Sequence, residues 1–183
     1  MSKLFLFAKN WQLLILIYGI PICYSIIISI NSALFDIKEV NDLPILLKYN
    51  SIILPILMIS LMTIPIGWLW SVSFGFKKMI PENHEINFRK LKTFLLAPLV
   101  ILIPLMTFSF TEFYEVLIIL VLWIVACISF IYSSYNVAKI LKMVELQHSV
   151  KFEDFKEEFI LVWFFHVGIW KLQPRINKLA LVI

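Results

Sequence analysis

The side chains with chemistry to offer are concentrated in the last third of the chain. The histidines are His84, His148 and His166, and imidazole is both a common metal ligand and a general base near neutral pH. Their separations lack the paired spacing of ligands on one face, so a metal site is not expected, and His166 reads as a polar contact within a tail helix. Cys23 and Cys127 each sit inside an apolar run, where a thiol behaves as a small hydrophobe, so no disulfide is expected either. Glu153, Asp154, Glu157 and Glu158 could supply acid and base groups, but at helical spacing they read as a solvated face. No Gly-rich phosphate loop, nucleophile elbow or HExxH pattern occurs. Catalytic and metal residues are therefore assigned as none, no cofactor is implied, and the chain is not read as an enzyme.

One cluster remains. Lys171, Gln173, Arg175 and Lys178 follow Trp163 and Trp170 closely. Cations beside an anionic leaflet are worth ~1 kcal/mol each, and Gln173 and Arg175 can make directional hydrogen bonds. The chemistry on offer is contact with lipid headgroups or with a partner chain. The simpler alternative is that these cations only fix the tail on one side of a membrane.

Positioning such a cluster is a task for membrane helices. Hydrophobic residues make up 61% of the 183 residues and charged ones only 15%, far from the roughly 45–50% and 25% of a soluble domain. Spans of about 20 residues leave room for four or five crossings and little else. Apolar runs place spans at about 11–30, 51–76, 93–110 and 116–135. The first is longer than the about 7–15 apolar residues of a signal peptide, and Asn31-Ser32-Ala33 is a poor cleavage site, so a retained anchor is expected. Prolines at 21, 55, 65, 98 and 104 predict bends, with the third span broken by its two. The fourth span has neither proline nor charge. Trp68 and Trp70 are expected at the cytoplasmic interface.

Orientation follows from the loops. With the N-terminus, the 76–92 loop and the tail after Tyr135 inside, fourteen of the sixteen basic residues are cytoplasmic, leaving only Lys38 and Lys48 outside. This asymmetry predicts four spans with both termini cytoplasmic. The net charge of +4 is explained by these loops, and no nucleic-acid partner is implied.

Two faces carry small side chains at four-residue steps: Thr63, Gly67, Ser71 and Gly75 on the second span, and Ser25, Ser29 and Ala33 on the first. Small residues let helices approach closely in lipid, where packing replaces the hydrophobic drive. The two faces are expected to meet. The spans carry no ionisable group of the kind pumps and proton-coupled transporters place there. Their hydroxyls read as helix glue.

The tail, 136–183, starts by continuing the fourth helix. A break is predicted at 147–151, then an amphipathic helix with Phe152, Phe155 and Phe159 on one face. Residues 159–170 carry no charge, but twelve residues reach only ~18 Å against a ~30 Å hydrocarbon core. This segment is expected to lie in the interface or to dip into the bilayer, with Pro174 as a helix stop. It should dock under the second and third spans or against a neighbouring subunit.

Phe152-x-x-Phe155 followed by Trp163-Phe164-Phe165-x-Val167-Gly168-Ile169-Trp170-x-x-Gln173-Pro174-Arg175-Ile176-Asn177 resembles the C-terminal signature of a group of small bacterial inner-membrane proteins. Members of that group often carry proline where this chain has His166. The resemblance covers about the last thirty residues and implies a bacterial inner-membrane protein, with no chemistry attached.

The sequence thus predicts an all-α, polytopic membrane protein: a four-helix transmembrane bundle with a C-terminal interfacial amphipathic helix. The expected role is a non-enzymatic subunit or scaffold of an inner-membrane assembly, its partners being lipids and either further copies or other membrane subunits. The alternative is an oligomeric pore or membrane-perturbing effector, with hydroxyl-bearing faces lining a lumen.

Overall fold

A computed structural model describes residues 2–34, 62–81, 86–107 and 113–182. Expectations placed on 35–50, on the first half of the second span (51–61, with Pro55), on His84 and on the end of the third span (108–110) fall outside the described residues, as does the side chain of Ala33. Among the described residues all regular structure is helical and no strand forms.

The helices are α1 (Ser2–Phe7), α2 (Asn10–Leu34), α3 (62–75), α4 (Phe88–Thr107), α5 (Phe113–Leu146), α6 (Phe152–Trp163) and α7 (Phe165–Ala180), with a 3₁₀ turn at Lys77–Met79 after α3. Asn10 starts α2 by accepting the Trp11 N–H at 3.0 Å, and Gln12 Oε1 accepts the Lys9 N–H at 2.8 Å. These bonds satisfy donors that the first turn leaves without intrahelical partners. Among the described residues two helices, α2 and α5, are long and apolar enough to cross a membrane, over Asn10–Ile27 and Leu117–Leu146.

α5 changes character along its length. At ~1.5 Å per residue its 34 residues reach ~51 Å, more than a bilayer core requires. From Leu117 to Ile131 it exposes large apolar side chains, among them Leu120, Trp123, Ile124 and Ile128. From Ser133 to Val144 nearly every residue is buried or half-buried. There α4 and α6 pack against it, α6 packs on α7, and α7 in turn meets α1 and α2. The core fills this end, with Leu13, Trp68, Leu91, Leu141, Phe155 and Ile176 in one cluster. α5 ends where Gln147 adopts a positive φ of 57°, an αL helix stop. Its side chain bonds the carbonyls of Val144 at 2.7 Å and Met79 at 3.5 Å.

α6 and α7 fold back toward each other about Phe164 as a hairpin. Arg175 reaches Glu158 at 2.8 Å, although seventeen residues of continuous helix would separate them by ~25 Å. A Cβ on Gly168 would run into the Leu161 carbonyl, so glycine is needed where the two helices cross. The 160–170 segment is thus not one helix apolar all round. Val162, Phe165, Gly168 and Ile169 turn inward, while Ile160, Trp163, Phe164, Val167 and Trp170 remain exposed.

The third span is not broken at its prolines and Pro174 does not stop the tail helix. α2 runs through Pro21, α4 through Pro98 and Pro104, and α7 through Pro174. For α7, the ~3 kcal/mol cost of an interior proline is offset by what flanks it: Gln173 and Ile176 are fully buried, and Arg175 is paired.

Candidate functional site

The polar groups of the tail converge where the helices meet, in two linked clusters. The first is built on Gln173, fully buried because Ile169, Leu172, Gln173 and Ile176 share the inward stripe of α7. Its Oε1 accepts the Trp68 indole N–H at 2.6 Å. Its Nε2 lies 2.8 Å from the Phe5 carbonyl, 3.0 Å from the Ala8 carbonyl and 2.8 Å from Asn177 Oδ1. An amide has two hydrogens, so these three acceptors share them. Asn177 Nδ2 donates to the same Ala8 carbonyl at 3.2 Å. Gln173 therefore ties α3 to α7 and caps the C-terminal end of α1, whose last carbonyls have no helical partner.

The second cluster is ionic. Arg175 grips Glu145 through two bonds, Nε to Oε1 at 2.8 Å and Nη2 to Oε2 at 2.5 Å, and reaches Glu158 Oε1 at 2.8 Å. Lys142 Nζ also reaches Glu158 Oε1, at 3.1 Å. Two cations and two carboxylates from α5, α6 and α7 thus form a charge-balanced brace. Burial pushes the Glu158 carboxyl up, but the hydrogen bonds from Arg175 and Lys142 outweigh it and hold the group below the ordinary carboxylate range. The Glu145 bonds, against the opposing effect of burial, raise Arg175 above the usual arginine value, so it stays charged. Glu158 Oε2 and Ser134 Oγ are buried without a hydrogen-bond partner.

The small-residue face of α3 meets something other than expected. A Cβ at Gly67 would lie 3.1 Å from the Phe5 ring, and one at Gly75 would run into Leu6. The seam thus receives α1. Ser25 and Ser29 are exposed on α2 and bond back to the carbonyls of Ile22 and Ser25, each at 2.8 Å. Small residues made the groove as the spacing implied, but a short aromatic-aliphatic helix fills it better than a second groove would. Ser71 is buried and Thr63 exposed. Ser73, Ser129 and Ser133 are buried too, and each bonds the carbonyl four residues before it at 2.7–2.8 Å.

In the tail, Trp163, Trp170, Lys171 and Lys178 are exposed, whereas Gln173 is sealed inside and Arg175 is committed to carboxylates. Gln173 reaches Trp68 on the second predicted span, but Arg175 engages the extension of the fourth span, not the third. Trp68 is correspondingly a buried partner and not an interface anchor. Trp70 is half-buried beneath Lys92, 5.9 Å from its ring. The His166 ring lies 5.5 Å from that of Tyr18 on α2, outside its own helix. His148 stays local, with Nδ1 2.8 Å from the Ser149 carbonyl.

No family model, curated protein or solved structure matches this chain.

Sequence reasoning missed Glu158 and Glu145. Glu158 read as part of a solvated acidic face, yet Phe155, Glu158, Val162 and Phe165 recur at steps of three and four. That places Glu158 on the apolar stripe, where a carboxylate must be paired to be tolerated. Glu153, Asp154 and Glu157 are exposed as expected. Asp154 also accepts the Lys151 N–H at 2.7 Å at the start of α6. Among the described residues no group of three or more His, Cys, Asp or Glu side chains could hold a metal ion. What the arrangement does is fasten: it joins α1, α3, α5, α6 and α7 at one end of the molecule.

Proposed function

We propose that this chain is a non-catalytic integral membrane subunit, a scaffold of a bacterial inner-membrane assembly, with four spans and both termini cytoplasmic. The observation that carries the reading is the contrast along α5. Its first half presents exposed Leu, Ile, Val and Trp in a continuous surface, and its second half is buried and braced by Lys142 and Glu145. Water-soluble monomers rarely expose so large an apolar surface, whereas lipid tails solvate one readily.

The topology draws support from where the loops meet. The end of α1 bonds to α7 through Gln173, Met79 lies beside Gln147, and the end of α5 is tied to α7 through Arg175. The end of α1, the 3₁₀ turn at Lys77–Met79 and the tail, in regions that charge assigns to the cytoplasm, thus gather at one end. Against a hydroxyl-lined lumen, Ser71 and Ser129 lie in packed seams, which favours the scaffold over the pore. The small C-terminal signature agrees with an inner-membrane setting.

The test is the mass of the particle extracted into nanodiscs, measured by native mass spectrometry. A scaffold is expected as several copies or with a second membrane protein, and a chain truncated before Phe159 should lose that association while still inserting. A full-length particle containing one chain and no partner would contradict the proposal.

A further inference from the structure

The tail hairpin has an exposed tip for which the brace gives no reason. Between Glu158 and Lys171 no charged residue occurs, and the outward side chains there are Ile160, Trp163, Phe164, Val167 and Trp170, with Phe164 61% exposed. Arg175 on one arm bonds Glu158 on the other, which holds the two arms together. Along α6 the apex at Phe164 stands six residues, ~9 Å, from Glu158, and along α7 seven residues, ~10 Å, from Lys171, the first charges on either arm. That is about a third of a ~30 Å hydrocarbon core, and the chain then returns.

Its neighbours set its depth. His166 meets Tyr18 at 5.5 Å and Trp163 meets Phe130 at 5.9 Å between ring centroids. Tyr18 lies eight residues, ~12 Å, into the apolar stretch that starts at Asn10, and Phe130 lies twelve residues, ~18 Å, from Lys142 on α5. Exposed Leu16 and Ile22 flank the first contact, and exposed Ile128 and Ile131 flank the second. Whatever solvates those faces of α2 and α5 also reaches the tip. Away from the tip, Lys151, Lys156, Lys171 and Lys178 are all exposed.

We propose that the α6–α7 hairpin is a re-entrant element whose tip, residues 160–167, occupies the acyl region of the leaflet on the tail's side while both arms start and end at the headgroups. Continuity with α2 and α5 selects acyl chains over a protein partner as the occupant, and the lysine collar suits an anionic leaflet. Gly168 makes the turn tight enough to fit beside two helices. The inference rests on the membrane reading above and adds to it a segment that enters one leaflet only.

The test uses full-length protein in nanodiscs containing anionic lipid, with Cys23 and Cys127 replaced by alanine and an environment-sensitive fluorophore on a single new cysteine. The positions are Phe164→Cys at the tip, Ile124→Cys on α5 and Glu157→Cys at the base. Nitroxides on lipid acyl chains and aqueous iodide are the two quenchers. Emission at Phe164→Cys and Ile124→Cys should be lost to nitroxide, and that at Glu157→Cys to iodide. Loss to iodide at Phe164→Cys, or protection from both quenchers, with Ile124→Cys still lost to nitroxide, overturns the hairpin insertion and leaves the spans standing. Loss to iodide at both overturns the membrane reading and this inference with it. Val167→Cys, on the same exposed face, repeats the tip measurement should the Phe164 variant misfold.

Discussion

Replacing Gln173 by methionine tests the clamp with little change of volume. Gln173 and Trp68 are both essentially excluded from solvent, so the substitution leaves the Trp68 indole N–H without its 2.6 Å acceptor. An orphaned buried donor costs ~1–3 kcal/mol. The Phe5 carbonyl loses its Gln173 donor as well, at the lower end of that range because it is only part-buried. Ala8 keeps the bond from Asn177. The sum is about 2–4 kcal/mol, which at ~2–4 °C per kcal/mol for a chain of this size lowers the melting temperature by on the order of 10 °C. Gln173→Glu should be no better, since it keeps an acceptor for Trp68 but turns a bare oxygen toward two carbonyls. The control is Leu172→Met, a buried volume-conserving swap expected under ~1.5 kcal/mol. Thermal unfolding in detergent gives the global effect, and amide exchange over residues 2–8 gives the local one, which should rise as α1 comes loose. If Gln173→Met melted with Leu172→Met and left α1 protected, the clamp would be no more than a packing contact.

Gly75→Ala should displace Leu6 and cost about 1–3 kcal/mol as overpacking, and Gly67→Leu should expel Phe5. Ile66→Leu, at a buried site where volume is kept, should be close to neutral, and equal melting of the three would remove α1 from the seam. Arg175→Met should cost about 2–4 kcal/mol, less than a fully buried pair because Arg175 is itself 36% exposed, and it leaves Glu158 to Lys142 and takes the guanidinium from Glu145. The pH dependence has a definite sign. Because the folded Glu158 carboxyl lies below its unfolded value, its contribution is complete above the unfolded pKa, near 4.5, and is lost as pH falls through the lower folded value. Melting temperature should therefore drop on the acid side in the native protein and less steeply in Glu158→Gln, while Arg175 stays charged throughout. Parallel acid limbs for the two would assign the effect to other carboxylates.

How much of this was legible in the sequence depends on which physical signal each feature carries. All-helical structure and the two long apolar helices follow from run length and composition, and the α5–α6 break follows from loss of periodicity after Leu146. The same periodicity, followed one residue further, puts Glu158 and Gln173 on inward stripes. Reading their polarity before their position hid the brace. Other features depend on tertiary contact and left no local mark. The groove beside Gly67 and Gly75 is generic, and nothing in the pattern says that a six-residue helix fills it and not Ser25 and Ser29. Proline rules describe an isolated helix, and α4 and α7 run on through theirs. The hairpin at Phe164 is the least local of all: it hinges on Gly168 meeting the Leu161 carbonyl, in a stretch where uniform apolarity masks any periodicity.

The central claim is that the braced end of this molecule faces the cytoplasm and the exposed halves of its long helices lie in lipid. Single cysteines at Gln147 and Asn83, and at Asn41 and Thr111, in otherwise cysteine-free protein, can be probed in intact cells with a membrane-impermeant maleimide and again after permeabilisation. Gln147→Cys and Asn83→Cys should react only once the membrane is opened, and Asn41→Cys and Thr111→Cys without opening it. Reaction of Gln147→Cys from outside, or protection of either outer site until permeabilisation, would contradict the account.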